Sequence, residues 1–208
     1  MAKPEHFTIH LIRVGETNWD ADNRVIGATD LPMTDEGQQA VLSATMNFHP
    51  THAPTKLLSS EEESSIWVTN QLKSSTELKH KALNSLSNVS MGLWEGELES
   101  CLTDRCPTAF NQWKEHPSRI TPPEGESFFD ARDRLIGALT KQLVKYKGDH
   151  PQVILVLRSW AWAIVRCSLS GSKICDIWEQ LDQPIEIETF QVTKQQLDEY
   201  QSHTKAGV

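Results

Sequence analysis

A chain of 208 residues with 38% hydrophobic and 23% charged side chains is long enough to bury one sizeable core, and too short for two ordinary domains without a visible linker. A net charge of −8 with a pI near 5.5 excludes the basic footprint of a nucleic-acid binder, so no nucleic-acid partner is expected. No apolar run approaches the ~18 residues that a membrane span needs, and the polar start Met1-Ala-Lys-Pro-Glu-His leads into a short strand. The expectation is one domain over 1–208, with a core at about 7–195 and a tail at about 196–208, cytoplasmic and away from membranes.

In chain order, Phe7 to Ile12 is β-branched and apolar enough for a buried strand. It ends at Arg13-Val14-Gly15-Glu16-Thr17, where glycine permits a tight turn. Thr34-Asp-Glu opens a helix that Val41, Leu42 and Ala44 carry to about Asn47. Lys56-Leu-Leu58 reads as a second strand feeding a helix from near Ser60 to Leu72. The run Glu61-Glu62-Glu63 fits either that helix's first turn, where the dipole favours acids, or the mouth of a pocket.

Ser127 caps the longest predicted helix, whose Phe128, Ala131, Leu135, Ala138, Leu139 and Leu143 fall at helical spacing. Val153 to Leu157 is an apolar run typical of a strand covered on both faces, and a helix follows from about Trp160. Strands alternating with helices predict an α/β fold, a three-layer α/β/α sandwich around a mainly parallel central sheet. Ligands in such sheets bind at the carboxyl ends of strands, here Arg13-Val14, Ser59-Ser60 and Arg158-Ser159.

Four cysteines, at 101, 106, 167 and 175, have no zinc spacing and are expected as free, mostly buried thiols. Of the eight histidines, His10 lies inside the first strand as a core residue, and His49, His52, His116 and His150 fall in polar loops. No metal-ligand spacing occurs, and no cofactor is expected. Trp94, Trp160 and Trp162 either fill the core or line an aromatic pocket.

The stretch Leu11-Ile-Arg13-Val14-Gly15-Glu16-Thr17, continued by Asn23-Arg24-Val-Ile-Gly27, Leu57-Leu-Ser59-Ser60, Met91-Gly-Leu-Trp94-Glu95-Gly96 and Pro122-Pro-Glu-Gly125-Glu126-Ser127, resembles the histidine phosphatase superfamily. That superfamily contains the cofactor-dependent phosphoglycerate mutases and their phosphatase relatives, and the likeness runs over roughly residues 7 to 170 in the right order. The resemblance implies a phosphoglycerate mutase-like fold. It also implies a histidine nucleophile after the first strand, two arginines and a second histidine around the phosphate, and an acid that protonates the leaving group. Neutral imidazole is a nucleophile near pH 7, and the guanidinium fork matches phosphate oxygens.

Carried over residue by residue, the roles fall on side chains that cannot perform them. The nucleophile's position is Val14, the second arginine's is Ser64, the acid's is Asn88, and the second histidine's is Arg158; only Arg13 is retained. A shift of register does not help. The chain has no arginine between Arg24 and Arg105, no carboxylate between Glu77 and Glu95, and no histidine between His150 and His203. An asparagine common in the first loop is Asp20 here.

The resemblance therefore implies an inactive phosphatase-like protein with a binding or regulatory role, whose partner is an anionic small molecule or a protein. The alternative is a phosphatase or mutase-type enzyme using other groups, with Glu16, Asp20 or Glu126 as candidates. Arg13, Glu16, Asp20, Asn88 and Arg158 are the candidate ligand-binding residues. Arg13 and Arg158 are expected in one cavity, ion-paired with Asp20 or Glu16, since two guanidinium groups that close would otherwise repel.

Overall fold

The computed structural model describes residues 4–46, 48, 50, 54, 56–74, 78–146, 151–173, 177–197 and 199. Cys175, His49, His52, His150, the predicted helix end at Asn47 and all but Gln196, Leu197 and Glu199 of the tail lie outside them.

Strand β1 (His6–Arg13) leads through the short helix α1 (Asn18–Ala21) to α2 (Asp35–Met46). Strand β2 (Lys56–Ser59) and helix α3 (Glu63–Ser74) follow, then strand β3 (His80–Ala82). A long connection carries α4 (Glu99–Arg105) and α5 (Pro107–Glu115) to α6 (Phe128–Leu143). The chain continues with β4 (Gln152–Leu157), α7 (Ser159–Ser170), α8 (Ile177–Leu181) and β5 (Glu188–Thr193).

The five strands are ordered β3-β2-β4-β1-β5. β1 and β4 are neighbours inside the sheet, paired in parallel with Arg13 opposite Leu157. β2 pairs in parallel with both β3 and β4, and β5 runs antiparallel along β1 as an edge. The sequence reading has no counterpart of β5, whose alternating, half-exposed residues carry a weaker apolar signal than β4, buried at all six positions.

The period-two alternation of a strand divides the core between the two faces of the sheet. Phe7, Ile9, Leu11, Val153, Leu155 and Leu157 pack with Leu135, Leu139 and Trp160 of α6 and α7. Ile12, Val14, Leu57, Ile154 and Val156 pack with Val41 of α2 and Val68 and Leu72 of α3. This is the three-layer α/β/α sandwich with a mainly parallel sheet.

Ser127 caps α6 by accepting the Asp130 backbone N–H at 3.1 Å, and Gly171 ends α7 in the left-handed region at φ 74°. Gly15 serves close approach, since a Cβ there would lie 2.2 Å from the carbonyl oxygen of Gly37. The missing side chain lets the end of β1 press against the first turn of α2. Cys101 and Cys106 are half-buried and Cys167 is buried, so only one of the described thiols is a true core residue. Among the described residues no helix is long and apolar enough to cross a membrane.

Candidate functional site

The carboxyl ends of β1 and β4 lie side by side, joined by a bond from the Val14 N–H to the Leu157 carbonyl at 3.0 Å. Because Arg13 is level with Leu157, the next residue, Arg158, has the opposite parity. Its backbone is still extended, at φ −76° and ψ 168°, so the alternation continues through it. Arg13 accordingly turns toward the face covered by α7 and α8, and Arg158 toward the face covered by α3.

Arg13 donates to the Leu181 carbonyl at 2.6 Å and the Gln183 carbonyl at 2.8 Å, and its guanidinium lies 5.2 Å from the centre of the Trp162 ring. It is a cap on the C-terminal end of α8, where the dipole favours a cation. Burial pulls its pKa below the ordinary arginine value, while Asp20 and Asp182 act in the opposite direction. Arg166 reaches the same indole at 5.7 Å and binds Glu188 at 2.6 Å. Trp162 is thus a buried ring in contact with two guanidinium groups, and Trp94 packs edge-on against Phe110 and Trp113 in the core.

Arg158 is 1% exposed, donates to the Thr29 carbonyl at 2.6 Å, and has Glu62 Oε1 3.8 Å from Nη1. Glu62 in turn accepts the backbone N–H of Asn88 at 2.8 Å. The Asn88 side chain donates to the Gly27 carbonyl at 3.0 Å and accepts the Ala161 N–H at 3.0 Å, so both ends of its amide hold backbone. Ser64 is buried in the first turn of α3, with no partner for its hydroxyl among the described residues.

A cleft of about 440 Å³ opens beside Arg13, lined also by Val14, Glu16, Asp20, Glu36 and Ser159. A second, of about 250 Å³, shares Arg13, Asp20 and Ser159 and is floored by Trp113, Trp160 and Trp178. Of the five candidate ligand residues, Arg13, Glu16 and Asp20 line the larger cleft, and Asn88 and Arg158 line neither. Asp20 accepts from the Thr17 N–H at 2.6 Å and the Thr17 hydroxyl at 2.8 Å, and Glu16 accepts from the Thr34 hydroxyl at 3.3 Å.

The expected cluster of Arg13, Arg158 and Asp20 or Glu16 is therefore corrected. Arg158 lines neither of the two clefts that Arg13 lines, and among the described residues neither Asp20 nor Glu16 ion-pairs with either arginine. The reason is the parity of the pleat, which sends the two side chains to opposite faces. Glu62, the true partner of Arg158, sits in the acidic run but precedes α3; only Glu63 is in that helix's first turn. Glu36 was legible only as an acid at the start of α2, and nothing local in the sequence marks it or the carbonyls of Leu181 and Gln183 as neighbours of Arg13.

A model of the histidine phosphatase superfamily (branch 1) matches residues 9–202. The chain belongs to that superfamily. Relatives named "Probable phosphoglycerate mutase GpmB" include one from Citrobacter koseri, 26% identical over 185 residues, covering 78% of this chain and 82% of the relative. Another, from Cronobacter sakazakii, is 25% identical over 153 residues, 70% of this chain and 67% of its own. Among solved structures, YhfR of Bacillus stearothermophilus superimposes with a TM-score of 0.74 at 20% identity, covering 83% of this chain and 84% of the other. A mycobacterial glucosyl-3-phosphoglycerate phosphatase does so with 0.70 at 20% identity, covering 89% of each. At that identity the structural likeness speaks to the phosphoglycerate mutase-like fold.

Proposed function

We propose that this histidine phosphatase superfamily member is non-catalytic and has a binding or regulatory role. The observation that carries the reading is the state of Arg158, which stands at the position of the family's second histidine. It is buried, bound to Thr29 and faces Glu62, and lines neither cleft.

The other family positions agree with it. Val14, at the nucleophile's position, has no lone pair and is 2% exposed in the core packed by Ile12, Met33 and Val41. Asn88, at the acid's position, is fully engaged with backbone. Removing a nucleophile or its base in a hydrolase of the serine class costs on the order of 10⁶ in kcat. Three such roles changed together leave nothing for the family mechanism to use.

The cleft beside Arg13 also suits phosphate poorly. Its guanidinium is engaged with two carbonyls, and Glu16, Asp20 and Glu36 stand around it. Of the three candidate carboxylates Glu16, Asp20 and Glu126, Glu126 is held by Arg134 through two bonds of 2.8 and 2.6 Å, which leaves Glu16 and Asp20, and these line the cleft together with Glu36.

The test is hydrolysis of a generic aryl phosphate together with a search for acid-labile phosphoprotein. Background turnover and no phosphohistidine are expected, and Val14→His alone restores neither, because the missing groups act as a unit. Turnover of the native chain that disappears in Glu16→Gln or Asp20→Asn would establish an enzyme with other catalytic groups and overturn the reading.

A further inference from the structure

Of the seven tryptophans in the chain, three meet at the smaller cleft. Trp113 comes from α5, Trp160 from the first turn of α7 and Trp178 from α8. The ring centre of Trp178 lies 5.0 Å from each of the other two, which are 5.7 Å apart, and the ring planes meet at 90°, 85° and 68°. Trp160 is fixed by its Nε1–H, which donates to the Ile26 carbonyl at 2.9 Å. Trp113 and Trp160, 1% and 6% exposed, form the floor, and Trp178 is a half-buried wall. Rings set so steeply to one another cannot all turn their edges to one occupant, so the corner offers it an aromatic face, the negative side of the ring quadrupole.

An aromatic face attracts a cation that comes within about 6 Å of the ring centre. The chain's own cations use this attraction elsewhere, on Trp162, Tyr146, Phe110 and Phe129. Among the described residues none stands over Trp113, Trp160 or Trp178. Two guanidinium groups line the cleft, but both are turned to carbonyls, Arg13 to Leu181 and Gln183 and Arg24 to Gly96 at 2.8 Å. Asp20, Glu99 and Asp182 line it too, and the adjoining cleft adds Glu16 and Glu36. With Glu99 paired to Lys114, four carboxylates face the two guanidinium groups, and the joined mouth draws cations and repels anions. Asp182 is exposed, and among the described residues its carboxylate has no hydrogen bond or ion pair. Ring faces accept no strong hydrogen bond, so the matching cation is weakly hydrated and has no N–H to satisfy. A metal ion would need converging ligands, and among the described residues no three metal-ligating side chains converge.

We propose that the corner formed by Trp113, Trp160 and Trp178 binds the trimethylammonium head of a small organic cation, with Asp182 and Asp20 supplying counter-charge at its mouth. Its volume of about 250 Å³ suits a head group of that size and falls short of a drug-sized ligand. The inference rests on the binding reading and gives it a ligand class opposite in sign to phosphate. Its test reads binding alone, so turnover of aryl phosphate bears on the non-catalytic reading and not on this one.

The experiment is calorimetric titration of the full chain with choline and with 3,3-dimethylbutan-1-ol, which has the same shape without the charge. Choline is expected to bind saturably, with a Kd below about 1 mM, and the neutral alcohol about tenfold more weakly or worse. Trp178→Leu should weaken choline about tenfold, and Trp178→Phe, which restores an aromatic face, should recover part of the loss. Asp182→Asn should weaken it about threefold at low ionic strength and less at high salt. No saturable choline binding overturns the proposal. Equal binding of the alcohol, which signifies an apolar groove, also overturns it, as does unchanged choline affinity in Trp178→Leu. If Trp178→Leu does not fold, the exposed Asp182 carries the test: choline affinity in Asp182→Asn equal to native at low ionic strength overturns the proposal.

Discussion

Arg13 and Arg158 end adjacent parallel strands one residue out of step, and the two surroundings differ in kind. Arg13 is half-buried at the mouth of a cleft, capped by the carbonyls of Leu181 and Gln183, stacked on Trp162, with Asp20 and Asp182 nearby. Arg158 is fully buried and faces a carboxylate that is itself only 7% exposed. A guanidinium that keeps contact with solvent can be held by dipoles and screened carboxylates, whereas one removed from water needs a formal counter-charge beside it. The lesson is that two guanidinium groups at the ends of neighbouring strands are held by different electrostatic routes, one by carbonyl dipoles and one by a buried carboxylate.

The largest effect should come from breaking the buried pair. Arg158→Ala or Glu62→Ala should each lose about 3–5 kcal/mol in urea unfolding, because each leaves its partner uncompensated. Arg13→Ala should lose about 1–2 kcal/mol, the scale of two partly exposed bonds and a ring contact. Equal losses at the two arginines would erase the distinction.

Replacing the buried pair together sharpens it. Glu62→Leu with Arg158→Met should fold within about 1 kcal/mol of the native chain or above it, since packed apolar groups replace two desolvated charges. Additive single losses in a double-mutant cycle would show that the charges do not couple across their 3.8 Å separation.

A smaller, local effect is expected at Arg13. Arg13→Gln should speed amide hydrogen exchange in residues 177–183 by about tenfold, the equivalent of ~1.4 kcal/mol of local opening, and leave β1 and β4 unchanged. Faster exchange throughout the sheet would mean that Arg13 supports the core and not α8.

The smallest effect concerns a third buried polar group, which the sheet keeps neutral. His10 bonds Gln152 and Thr189, each at 2.9 Å, and burial lowers its pKa below 6.5 although the Gln152 bond raises it. With the folded value below the unfolded one, stability is full above about pH 6.5 and falls as pH drops from there toward the folded pKa. His10→Gln should flatten that limb by about 0.5–1 kcal/mol in unfolding measured from pH 7 to 5. An unchanged pH dependence would place the titrating group elsewhere.

Local chemistry was enough to read the buried strands β1 and β4, the Ser127 cap and apolar stripe of α6, and hence the layered α/β fold, because pattern and propensity act within a few residues. The absence of a histidine at residue 14, or of any arginine between Arg24 and Arg105, is likewise a fact of the chain whatever its shape. Tertiary structure alone decided the pairing of Arg158 with Glu62, 96 positions apart, in place of the expected match with Asp20 or Glu16. It depends on Arg13 standing level with Leu157, a register set by backbone bonds between strands that are about 140 residues apart. The capture of Arg13 by the end of α8 and the antiparallel edge β5 belong to the same class. Each is a long-range contact whose partners carry no local mark, so it exists only once the sheet has closed.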